Sequence, residues 1–154
     1  MTRRLLILGL MLAACRAGTV STVPLALSLG TYVLTNVGGK SVPLFRPGLI
    51  PGEGTTLRGA VIRLQPQSTL SSTLVIAFTD SGTVVDTVLI SGTWRTHGDS
   101  VLLDYRWTHP RFADEVLTGN EVGRIDSAGI TLRTFAFLTP AFFGVEGPLR
   151  FRKS

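Results

Sequence analysis

Residues 101–108 read VLLDYRWT, and this stretch limits the fold more than any other. Val101, Leu103, Tyr105 and Trp107 fall on one side of a period-2 pattern, and Leu102, Asp104, Arg106 and Thr108 on the other. Such alternation belongs to a strand with one face in a core and one in water. An α-helix would scatter the two sets around its circumference.

The same grammar recurs. Ala60, Ile62 and Leu64 alternate with Val61, Arg63 and Gln65, and Leu74, Ile76 and Phe78 with Val75 and Ala77. Val88, Ile90 and Trp94 share one face, with Gly92 between them as a bulge or a close approach. Leu149 and Phe151 point one way and Arg150 and Arg152 the other. Residues 130–138 carry bulk on both faces, Ile130, Leu132 and Leu138 against Phe135 and Phe137, which predicts a strand covered on both sides. Turn signals fall at 36–39, 65–67, 80–82, 98–99, 108–110, 119–120, 127–129 and 140–147. Spacings near ten residues, with no long amphipathic helical stretch, predict an all-β fold. The expected form is an antiparallel up-and-down meander closing into a barrel of roughly eight strands.

The N-terminus follows different rules. Arg3 and Arg4 precede an apolar run, Leu5 to Leu12, which is too short to span a bilayer. Ala13 and Ala14 supply the small residues of a cleavage site, so residues 1–14 read as an export signal. Cys15, the only cysteine, comes next. Leu12-Ala13-Ala14-Cys15 resembles the lipobox of bacterial lipoproteins. That resemblance implies alkylation of the Cys15 thiol by diacylglycerol, cleavage before it, and acylation of the new N-terminus. Together the chains would hold the protein stably on a membrane, where one alone is marginal. Residues 15–29 then form a lipidated tether, and 30–154 the barrel domain. Arg16 rather than an acidic residue after the cysteine implies the outer membrane, facing the periplasm. With its one thiol lipidated the chain has no disulfide.

Residues 30–43, GTYVLTNVGGKSVP, resemble the opening strand of small bacterial lipocalin-like lipoproteins, with Tyr32 where lipocalins carry Trp. SGTWRTHGDSVLL (91–103) resembles the middle of that family and GPLRFRKS (147–154) its closing strand. The resemblance implies an eight-stranded barrel whose interior is filled by side chains or holds one small ligand.

Charge excludes little. The formal net charge is +5, of which the export signal carries Arg3 and Arg4. The basic residues are spread along the sequence, and no nucleic-acid motif is present. His97, Asp99 and His109 flank turns and read as solvated rather than as metal ligands, and no nucleophile elbow occurs. No catalytic residue, metal or cofactor is expected. The leading expectation is a non-catalytic module binding a small apolar or amphipathic molecule. Tyr32, Trp94, Tyr105 and Trp107 would line its pocket, with Phe45, Phe142 and Phe143 at the mouth. The alternative is an envelope structural or protein-interaction lipoprotein with a filled barrel. The apolar loops 41–54 and 137–147 would be lid, plug or membrane contact.

Overall fold

A computed structural model describes residues 28–48, 53–79, 83–109, 112–135 and 147–154. Its strands run β1 (Gly30–Val37), β2 (Lys40–Ser41), β3 (Leu44–Pro47), β4 (Gly54–Leu64), β5 (Thr69–Thr79), β6 (Thr83–His97), β7 (Ser100–His109), β8 (Phe112–Ile125), β9 (Gly129–Leu132) and β10 (Leu149–Lys153). From β4 to β10 each strand pairs antiparallel with the next, and β10 pairs with β1. β1 then pairs with β4, through Gly30↔Leu64 to Val33↔Val61, and closes an eight-stranded antiparallel barrel. Closure removes the unpaired edges on which open sheets aggregate. The short β2 and β3 hang on β1 and β4 outside the ring.

Alternation sets the inner face. Val101, Leu103, Tyr105 and Trp107 of β7 are buried, as are Ala60, Ile62 and Leu64 of β4 and Leu149 and Phe151 of β10. Two register shifts keep bulk inside where strict alternation would lose it. One lies between Leu34 and Asn36, so that Tyr32, Leu34 and then Val37 face inward. The other lies between Leu57 and Gly59 and carries the inner face from Leu57 to Ala60. An extra residue in one strand of a pair has this effect.

Two readings of the sequence are corrected. Gly119 and Asn120 do not turn the chain; they lie inside β8, a strand of 14 residues. Gly119 faces Tyr105 across the ladder, where a side chain would strike the tyrosine ring. The strand predicted over 130–138 stops at Leu132. Released from alternation, Phe135 turns into the core beside Ile130 and Leu132 instead of opposing them. Its ring meets Tyr105 edge-on with centroids 5.1 Å apart, and Phe151 at 6.1 Å. Phe137 and Leu138 lie outside the described residues.

Gly92 is a close approach and not a bulge: β6 and β7 stay in register through it. A Cβ there would run into the Asp104 carbonyl oxygen. The turns at 36–39 and 126–129 are held by side chains. Asn36 Oδ1 accepts from Gly39 N at 2.8 Å, and Asp126 Oδ1 accepts from Ala128 N and Gly129 N at 2.8 and 3.0 Å.

Candidate functional site

Four of the aromatic residues expected to line a pocket point into the barrel. Tyr32, Trp94, Tyr105 and Trp107 all belong to the buried hydrophobic cluster inside it. Two have polar tips tied to the chain. The Tyr32 hydroxyl donates to the Ser28 carbonyl at 2.7 Å, and Trp94 Nε1 donates to the Gln65 carbonyl at 2.9 Å. Buried Tyr and Trp pay for their polar end with such bonds. Burial pushes the Tyr32 phenol above its ordinary pKa. Ser28 is itself buried, and Leu29 packs against the core, so the chain entering β1 lies on the barrel.

The loop 41–54 behaves as wall in its described part. Leu44 is buried and Val42 packs on the core, while β3 pairs with β4 from Leu44↔Leu57 to Pro47↔Gly54. Phe45, on the other side of β3, is 55% exposed and its ring lies against Gly54. It therefore stands on the outside of the wall. Phe142, Phe143 and Cys15 lie outside the described residues. Asp99 pairs with Arg124 at 3.0 Å, and His97 sits exposed beside it at the β6–β7 turn. The His109 side chain is outside the described set. Among the described residues no three of His, Cys, Asp and Glu gather as metal ligands.

The outer surface carries what the sequence order concealed. β9, β10, β1, β4 and β5 are consecutive around the barrel and contain no Asp or Glu. They hold Arg58, Arg63, Arg150, Arg152 and Lys153. The acidic residues of the barrel strands belong to β6, β7 and β8. Arg95, Arg106 and Arg124 stand among those acids, so the wall is set apart by its lack of acids, and β1 joins its cations by bringing β10 against β4.

A groove of about 590 Å³ opens at the β8 edge of this wall, lined by Arg124 and Asp126 together with Arg150, Arg152, Thr35 and Asn36. Its layout follows from register. Arg124, Thr131, Arg150 and Asn36 form one row across β8, β9, β10 and β1. Two strand spacings separate Arg124 from Arg150, about 10 Å, and Arg152 lies about 7 Å along β10. Arginine side chains are long enough to converge across such gaps. Asp126, at the rim, spends one carboxylate oxygen on its own turn. Arg150 and Arg152 make no ion pair among the described residues. Their outward alternation is legible in the sequence; their company is not.

No protein-family model, curated protein or solved structure matches the chain.

Proposed function

We propose that the chain is a non-catalytic lipoprotein of the cell envelope, anchored through Cys15, with a lipocalin-like barrel that works through its outer surface. The observation that carries this reading is the engagement of the inward aromatics. Tyr32, Trp94, Tyr105 and Trp107 pack with each other's neighbours, and the tips of Tyr32 and Trp94 are satisfied by the chain itself. A binding pocket keeps such groups for its ligand. The anchoring half rests on the order of charge, apolar run, small residues and cysteine over residues 3–15. The outer-membrane address rests on Arg16.

Mass spectrometry of protein made in its own host tests both halves. Intact mass is expected to show cleavage before Cys15 with a diacylglyceryl thioether and an added acyl chain. Native spectra of the detergent-extracted protein are expected to show the barrel free of any further small molecule. An unmodified thiol with residues 1–14 still attached overturns the anchoring. A stoichiometric apolar molecule held after delipidation overturns the filled-barrel reading in favour of an interior ligand.

A further inference from the structure

The arginine groove has an apolar neighbour. Val33 pairs with Arg152 on one side and with Val61 on the other. Continuing around the barrel, Val61 faces Thr73 on β5, the last strand of the wall. This row turns outward: Val33 is exposed and Val61 half-buried. Over it lies a shallow dent of about 240 Å³, lined by Val33, Val61 and Val75 with Gly59 and Arg58. The dent is open because Gly59 has no side chain and nothing stands within 4 Å of where one would be. One wall therefore offers a strip of valines flanked on both sides by cations, Arg152 and Arg150 beyond β1 and Arg58 and Arg63 on β4.

We infer that this wall is a docking face for an anionic phospholipid bilayer, with phosphate headgroups beside Arg150 and Arg152 and the valine strip against the acyl boundary. Three observations select this occupant. Guanidinium groups match phosphate oxygens in planar, two-pronged geometry, and Arg150 and Arg152 border the groove side by side on β10, while Arg124 is held by Asp99 and Asp126 keeps to its own turn. The five acid-free strands give the wall one sign of charge, so it is drawn to a surface of the other sign. An apolar strip with a cationic rim matches the layering of a bilayer interface, where headgroup and chain lie side by side. The chain preceding the barrel also enters through β1, the middle strand of the wall. The inference goes beyond the anchoring reading and does not require Cys15 to be acylated.

The test uses the full chain carrying Cys15→Ser, so that no thioether contributes. It is co-sedimented with vesicles of phosphatidylcholine, with and without phosphatidylglycerol. Arg150→Gln/Arg152→Gln is compared with Arg95→Gln/Arg106→Gln, which removes the same charge from the exposed faces of β6 and β7. Residues 1–29 are common to all variants, so differences report on the wall. The expected result is stronger binding to the anionic vesicles than to the neutral ones. Loss of Arg150 and Arg152 should weaken it on the order of 25-fold, about fivefold per residue, with little change for the control pair. Val33→Ser should weaken it further while circular dichroism stays unchanged. Equal losses in the two double variants overturn the inference, as does an equal loss for Arg150→Gln/Arg152→Gln on neutral and anionic vesicles. Displacement by inorganic phosphate at an ionic strength where chloride has no effect overturns it too, by assigning the groove to the free ion. None of these failures touches the lipidation of Cys15, which the intact mass decides.

Discussion

Tyr105 stands directly across the β7–β8 ladder from Gly119, and its ring fills the space a side chain there would need. A Cβ on Gly119 would come within 2.7 Å of Cε2, 2.8 Å of Cζ and 2.9 Å of the hydroxyl oxygen. The ring has little room to retreat, because Phe135 meets it from within the core. Gly119→Ala is therefore expected to cost about 1–3 kcal/mol, the range for overpacking a filled core. Urea denaturation measures it. In a Tyr105→Leu background the same substitution should cost much less, and additive costs would show that the two residues do not compete for space.

Gly92 flanks Tyr105 on the other side, yet its constraint is of another kind. There a Cβ meets the Asp104 carbonyl oxygen and the Tyr105 Cα, which belong to backbone and have no rotamer to change. Gly92→Ala is expected to cost more than Gly119→Ala, and Tyr105→Leu should not relieve it. Relief would mean that the obstruction is the ring after all.

Tyr32 supplies a dependence on alkaline pH. Its phenol is raised above the ordinary value of 10.0 by loss of water on burial. The folded state thus holds the proton more tightly than the unfolded one. The associated stability is whole below about pH 10 and is lost as pH climbs from there towards the raised value. Tyr32→Phe at neutral pH should lose about 1 kcal/mol, for the bond to the Ser28 carbonyl. Above pH 10 the gap between the two proteins should narrow. A constant gap across that range would assign the alkaline loss to other groups.

The Arg124–Asp99 pair is short, but the two side chains are 75% and 53% exposed. Solvent screening leaves such pairs at about 0–1 kcal/mol. Arg124→Gln is expected to leave the urea midpoint almost unchanged. A large loss would mean that the groove arginines hold the fold together, and that vesicle measurements on them need a stability correction.

How much of this was legible in the sequence depends on how local each cause is. The faces of β7 were readable because its one register shift falls after Thr108, so VLLDYRWT alternates from end to end. Gly119-Asn120 misled because glycine beside asparagine is a turn signal along the chain, whereas this glycine answers a ring on a neighbouring strand. Leu57 and Val37 were not assigned a face. Each lies beyond a register shift that the amino-acid order does not announce. Phe135 broke the pattern for a simpler reason: alternation ends where the strand does, at Leu132. The outward direction of Arg150 and Arg152 was plain, but their meeting with Arg58 and Arg63 depends on ring closure through β1.

That closure also governs when the protein can become itself. β1 is made first, yet its neighbours in the ring are β4 and β10, and β10 spans residues 149–153. A nascent chain halted before them has two bare seams, one along β1 and one along β9. The ring cannot be zipped until synthesis has passed its eighth strand. Until then the sheet can pair strand to strand but not shut, and the inner residues of β1 and β9 stay open to water.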